Sequence, residues 1–167
     1  MGMIFSGRRL SAAELQAVRT DPTVAGALLF DDRYADSDSN RDPERVDLDK
    51  AWHGIHYLLT GTVWEIGDGL GAAILGGEPL EERGGYPPRL LDPETVRTVA
   101  QALAAVDVDM LRARYDPAAM TAAAIYPDIW DEGDEAFDTY LAPHFLALRR
   151  FYQAAAADGQ AALIVIT

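Results

Sequence analysis

Residues 46–62 constrain the fold of this chain more than any other stretch. Their large apolar residues recur at steps of three and four, the spacing of one face of an α-helix. Asp47 is placed as an N-cap, because its carboxylate can accept bonds from unpaired backbone N–H groups. Gly61 suits the left-handed residue that ends a helix. The sequence therefore predicts a helix over 47–60, whose buried face consists of Leu48, Ala51, Trp52, Ile55, Leu58 and Leu59.

A polar strip borders this face and consists of Asp49, His53, His56 and Thr60. Residues four apart on a helix are neighbours, so Asp49 is expected to reach His53, and His56 to reach Thr60. Lys50, the only lysine of the chain, falls on roughly the opposite side. Two interpretations of His56 stay open. It is either an acid, base or hydrogen-bond anchor, or a structural histidine at the boundary of the core.

The spacing of His53 and His56 is one that some metal sites use. Structural zinc usually takes four ligands and catalytic zinc three. Asp49 is the only obvious local addition, and the third histidine, His144, is distant in sequence. The sequence therefore predicts neither a metal site nor a cofactor.

Length and composition indicate one soluble domain. A chain of 167 residues fits a single core. No apolar run approaches the roughly 20 residues that cross a bilayer, and no signal peptide is recognisable at the N-terminus. The absence of cysteine excludes disulfides, thiol catalysis and cysteine-bound metals. We expect a cytoplasmic protein.

The net charge of −13 restricts the possible partners. Nucleic acids and anionic membranes attract basic surfaces, so both are disfavoured as partners. A basic protein partner is compatible with this charge, although solubility alone also explains many acidic proteins. Two segments are especially acidic, 31–45 and 128–138, and the second contains no basic residue. An Asp-rich loop at 31–45 could suggest calcium, but it lacks the glycine and terminal glutamate of an EF-hand loop.

Local signals outline the rest of the chain. Helices are predicted to begin after Ser11, Asp92, Asp107 and Asp116, each an N-cap residue type. Residues 3–5 and 161–167 read as buried strands near the two ends. A long helical pattern over 137–155 contains Pro143, which predicts a kink or a break. The glycines between 67 and 77 fit turns and close packing rather than a phosphate-binding loop.

The chain resembles the YfbM-like family of small bacterial proteins of unknown function. The most specific match is Asp47-x-Asp49-Lys50-x-Trp52-x-x-x-His56-x-x-Leu59-Thr60-Gly61. Weaker matches follow in order: Met1-Gly-Met-Ile at the start, Ala73-Ile-Leu75-Gly76, Gly85-Tyr86 with Arg89, Leu111-Arg-x-Arg-Tyr-Asp-Pro and Ile125-Tyr126-Pro127. His53 is not part of this pattern, and Phe5 stands where the family usually has glycine.

The resemblance implies a fold class and leaves the function open. It implies one α/β domain over residues 1–167, with α+β as the alternative. In it, helices pack around a small mixed sheet in three layers. It carries over no catalytic residue, because none is established for the family.

Two functions are compatible with the sequence. The first, which we favour, is a non-catalytic acidic binding protein that engages a basic partner as a monomer or weak homodimer, with an inhibitor-like or immunity-like role as one option. Its candidate binding residues are Tyr86, Arg89, Trp52, Tyr126 and Trp130. The second is an enzyme with a pocket beside helix 47–60. His56 would be its general acid or base, oriented by Asp49 or Thr60, and Lys50 or Arg89 would hold an anion.

Overall fold

The centre of the fold is a sheet in which the first and last strands of the chain pair with each other. The structure, a computed structural model, describes residues 2–30, 42–67, 69–80 and 86–167. Within these residues five strands pair in the order β2-β1-β5-β4-β3. Their bounds are β1 Phe5–Leu10, β2 Arg45–Asp49, β3 Glu78–Pro79, β4 Arg89–Leu91 and β5 Ala161–Ile166. All the pairings between described strands are antiparallel, where the resemblance implied a mixed sheet. Antiparallel strands do not require the long crossover connection that joins two parallel strands.

Helices cover both faces of the sheet. They are α1 Ala12–Thr20, α2 Val24–Phe30, α3 Trp52–Thr60, α4 Ala72–Leu75, α5 Pro93–Ala104, α6 Val108–Arg114, α7 Pro117–Ala122, α8 Asp134–Ala136 and α9 Ala142–Ala157. All six residues of β5 are buried, as expected for a strand covered on both sides. Leu163 and Val165 pack with α1 and α2, whereas Ala162, Ile164 and Ile166 join the larger core with α3, α5 and α9. The chain is therefore a single, helix-rich α+β domain in three layers, and the alternative fold class is the one observed.

The predicted helix starts are confirmed. Ser11 accepts a bond from the Glu14 backbone N–H, and the Glu14 carboxylate accepts one from the Ser11 N–H, which completes a capping box. Asp92, Asp107 and Asp116 each accept a bond from the backbone N–H three residues on. These caps need only local sequence, which explains why the sequence alone identified them.

The prediction of a helix beginning at Asp47 is wrong. Residues 45–49 form β2, which pairs with β1, and α3 begins only at Trp52. Val46 and Leu48 are buried and alternate with half-buried residues, so the segment also has the period of a strand. Pairing with β1 decided between the two periods. Asp49, with φ of +46°, turns the chain out of the strand.

Two other predictions for residues 46–62 are confirmed, namely the helix end at Gly61 and the burial of Trp52. Gly61 ends α3 in the left-handed conformation with φ of +72°, and its N–H donates to the Tyr57 carbonyl. Trp52 is fully buried. The predicted break before Pro143 is a π-helical turn at Phe137–Leu141 that leads directly into α9. A proline near the start of a helix is tolerated, because its missing N–H would have no helical acceptor there.

Part of the acidic segment 31–45, residues 31–41, lies outside the described residues. So does Gly85, which the resemblance pairs with Tyr86.

Candidate functional site

His56 is sealed in the core. Its side chain is fully buried, and neither ring nitrogen has a hydrogen-bond partner in the described part of the chain. Burial, and after it the nearby His53, lower the pKa of His56 to about 4, while the Glu65 carbonyl acts in the opposite direction. That carbonyl lies outside hydrogen-bond geometry, so it does not satisfy the ring. The imidazole is therefore neutral at neutral pH and has no contact with solvent.

His53 is equally buried but fully hydrogen-bonded. Its Nδ1 accepts a bond from the Tyr126 backbone N–H at 3.0 Å, and its Nε2 lies 3.1 Å from the Val63 carbonyl. An acceptor at Nδ1 requires the proton to be on Nε2, which fixes the neutral tautomer. Burial lowers the pKa of His53 as well. This histidine ties α3 to two loops, a role that the sequence did not indicate.

Asp49 and Lys50 are engaged by a tyrosine rather than by either histidine. The Tyr140 hydroxyl donates to Asp49 Oδ2 at 2.7 Å and accepts from the Lys50 backbone N–H at 3.1 Å. Burial, and then the bond to Asp49, raise the pKa of Tyr140 well above its usual value. The expected contact between Asp49 and His53 does not form, because Asp49 belongs to β2 rather than to α3. These bonds fix the corner between β2 and α3.

Thr60 contacts the backbone of His56 and not its ring. Its hydroxyl donates to the His56 carbonyl at 2.8 Å and also accepts from the Thr62 N–H. It lines a surface cleft with Thr62 and Glu65, and His56 does not reach this cleft. The four candidate catalytic residues therefore do not converge on a common cavity among the described residues.

Two candidate binding residues are inaccessible. Trp52 and Trp130 are fully buried, and each indole N–H donates to a backbone carbonyl, of Met3 and Ile125 respectively. Tyr126 is half-buried, and its hydroxyl accepts a bond from the Met3 N–H. Trp52 and Tyr126 thus hold Met3 of the N-terminal segment in place.

Tyr86 and Arg89 do come together, in a cleft of about 190 Å³ that we call the Trp64 cleft. Trp64 and Tyr86 are 48% and 46% exposed, and their rings are nearly parallel with centroids 6.5 Å apart. Arg89 donates from Nε and Nη2 to the carbonyls of Gly76 and Gly77, both at 2.8 Å. The remaining lining is apolar and consists of Ile66, Ile74, Leu75, Pro87, Ile164, Val165 and Ile166.

Glycine at position 71 allows a close approach to the backbone of Ile66, which lines the Trp64 cleft. A Cβ at Gly71 would lie 1.6 Å from the Ile66 carbonyl oxygen, so no other residue fits there without moving the backbone. This supports the prediction that these glycines serve close packing. Nothing in the sequence indicated that Trp64 would line a cleft, because a single tryptophan in a turn-rich segment has no periodicity.

The acidic segment 128–138 lies at the surface. Its six carboxylates belong to exposed residues, namely Asp128, Asp131, Glu132, Asp134, Glu135 and Asp138. Arg112 of α6 forms an ion pair with Asp138, so one cation does reach this segment from elsewhere. The other five carboxylates have no ion-pair partner within the described ranges.

Metal-binding clusters and membrane-spanning helices are both absent from the described residues. No group of three or more His, Asp or Glu side chains is arranged to hold a metal ion there. None of the helices there has the length and apolar character needed to cross a membrane.

Comparisons with known proteins identify a family and a fold. Residues 1–165 match the family model described as a domain of unknown function, DUF1877. The crystal structure of YfbM from Escherichia coli, a protein of unknown function, superposes with a TM-score of 0.73 at 21% identity. The match covers 99% of this chain and 100% of that one. A search of curated proteins finds no match. At this identity the structural likeness concerns the fold alone.

Proposed function

This chain belongs to the DUF1877 family, a domain of unknown function, and we propose from its own residues that it is a non-catalytic protein that binds a basic partner. The observation that carries the proposal is the concentration of exposed carboxylates in segment 128–138, of which only Asp138 has an ion-pair partner among the described residues. A single-sign surface of this kind accelerates encounter with a partner of opposite charge and fixes its orientation. The overall charge of −13 acts in the same direction.

The position of His56 favours binding over catalysis. A general acid or base must come within hydrogen-bond reach of the group it protonates, directly or through one water. His56 has no exposed surface, and Asp49 and Thr60 are bonded elsewhere. Acid–base chemistry at this helix would therefore require the core to open.

A pair of charge-matched variants tests the proposal. Each neutralises four exposed carboxylates and changes the net charge from −13 to −9. The first variant carries Asp131→Asn, Glu132→Gln, Asp134→Asn and Glu135→Gln. The control carries Glu65→Gln, Glu78→Gln, Glu94→Gln and Asp109→Asn, which are exposed and dispersed.

The immobilised proteins are incubated with a lysate of the source cells in low salt. The wild type and the control are expected to retain the same basic protein and to release it at about 1 M salt, where the Debye length falls to about 3 Å. The segment variant is expected to lose it. Retention by both variants alike, or no salt-released protein on the wild type, would refute the proposal.

A further inference from the structure

We propose that the Trp64 cleft is a binding site for a small organic carboxylate that carries an apolar ring. This site is separate from the acidic segment and requires no basic partner, so it goes beyond the proposed function. The proposal rests on three properties of the cleft. They are a stacked aromatic wall, the guanidinium of Arg89, which no described carboxylate neutralises, and an unpaired edge at the end of β5.

The aromatic wall is exposed and held in place from behind. Trp64 and Tyr86 are nearly parallel, at 17° between ring planes. On its inner side Trp64 packs on His53 with centroids 4.5 Å apart, and His53 in turn stacks on buried Trp52. Because His53 is hydrogen-bonded at both nitrogens, the packed rings of Trp52 and His53 hold the Trp64 ring in place from the core side. A fixed, exposed aromatic surface favours an apolar ring as its occupant, since little side-chain entropy is lost on binding.

Arg89 supplies the charge. A guanidinium has five N–H donors, and two of its nitrogens, Nε and Nη2, bond to the Gly76 and Gly77 carbonyls. These two bonds hold the guanidinium in the cleft and do not use its other three N–H donors. No carboxylate pairs with Arg89 in the part of the chain that the structure describes. A half-buried arginine that pairs with none of the described carboxylates is a site for an anionic group from outside.

The strand edge next to Arg89 adds a backbone donor. Ile4 and Thr167 exchange both of their backbone bonds, so by alternation Ile166 directs its N–H and carbonyl away from β1. On that other side the pairing of β4 with β5 ends at Arg89 and Ile164. The next position opposite Ile166 falls on Pro87, which has no N–H, and no backbone bond joins these two residues. The Ile166 N–H thus lies at the cleft beside the arginine.

The size of the cleft sets the size of the ligand. Its volume of about 190 Å³ is below the roughly 300–1,000 Å³ of sites for drug-sized molecules. One ring with a short carboxylate-bearing chain is the occupant that matches the aromatic wall, the two donors and the volume.

The three tryptophans provide a direct assay. Trp52 and Trp130 are fully buried, and Trp64 is 48% exposed, so collisional quenching of fluorescence by acrylamide reports on Trp64. We expect 3-phenylpropionate to protect Trp64 from acrylamide, with half-saturation at about 1 mM for a ligand of this size. The neutral isostere 3-phenylpropionamide is expected to bind at least about tenfold more weakly, because hydrogen bonds to a charged group are the stronger ones. This comparison leaves Arg89 and its structural bonds unchanged.

Two variants complete the test. Tyr86→Ala removes half of the aromatic wall at an exposed position and should weaken protection by 3-phenylpropionate at least about threefold. Met110→Ala removes an exposed apolar side chain of α6 and should leave protection unchanged. Absence of protection by 3-phenylpropionate, equal protection by the amide, or equal protection in Tyr86→Ala would each overturn the proposal.

Discussion

Lowering the pH from about 7.5 to about 5 is expected to destabilise the folded protein by about 2 kcal/mol through His56 alone. The ring is fully buried and has no hydrogen bond in the described part of the chain. Its pKa is about 4 in the folded protein, against about 6.5 in the unfolded chain. Between these values the unfolded chain binds the proton and the folded protein does not.

The sign and the size follow from this difference. The stability is fully present above pH 6.5 and is lost as the pH falls towards 4, where the loss reaches about 3 kcal/mol. The pKa of His53 is lowered too, so His53 adds to the loss in the same direction. Carboxylates with lowered pKa values, such as Asp92, lose their contribution only in more acidic solution. The interval from pH 7.5 to 5 therefore isolates the histidines.

Two matched substitutions separate the histidine that is hydrogen-bonded from the one that is not. His56→Leu removes a ring without hydrogen bonds and fills its apolar site, so stability at pH 7.5 should stay within about 1 kcal/mol or rise. The loss between pH 7.5 and pH 5 should shrink. His53→Leu leaves the Tyr126 N–H and the Val63 carbonyl without their partner. It should cost about 1–3 kcal/mol for each buried group left unpaired.

Urea unfolding followed by far-ultraviolet circular dichroism at the two pH values measures all of these quantities. The dichroism signal is preferred over fluorescence because His53 packs on the rings of Trp52 and Trp64. An equal pH dependence in the wild type and His56→Leu would refute the assignment of the proton to this ring. A large loss of stability in His56→Leu at pH 7.5 would refute the absence of hydrogen bonds.

Two further predictions concern packing around α3. Tyr140→Phe removes the hydroxyl that bonds to Asp49 and should lower the free energy of unfolding by about 1–3 kcal/mol, because its acceptor is charged; urea unfolding measures it. Gly54→Ala places a Cβ 2.7 Å from the Trp130 ring and should cost about 1–3 kcal/mol by overpacking. In the control, Gly26→Ala, no atom lies within 4 Å of the new Cβ, so the gain in helix propensity should raise stability by about 0.5–1 kcal/mol.

The features that could be read from the sequence are those set by neighbouring residues. The capping box at Ser11 and the aspartate caps of α5, α6 and α7 form within four residues of each other. The buried terminal strand was recognisable because a strand covered on both faces is continuously apolar. Burial of Trp52 followed from its place on the apolar stripe.

The error at Asp47 has the opposite cause. Residues 45–49 fit both a helical and a strand period, and the decision came from β1, some 40 residues away in sequence. The Trp64 cleft was out of reach for the same reason. Tyr86 and Arg89 could be nominated through the resemblance, but the cleft also needs Trp64 and the end of β5. Only the folded chain brings these segments together.

The two histidines of α3 differ in their hydrogen bonding, and this difference bears on function. Helical periodicity places His56 beside the buried face and His53 further towards solvent, but both side chains are buried. What distinguishes them is the approach of the Val63 carbonyl and the Tyr126 N–H to one ring and not to the other. His56, the candidate acid or base, has no hydrogen-bond partner among the described residues and no solvent contact. His53, which it did not favour, backs the exposed ring of Trp64. We therefore expect substitution of His53, and not of His56, to disturb the Trp64 cleft.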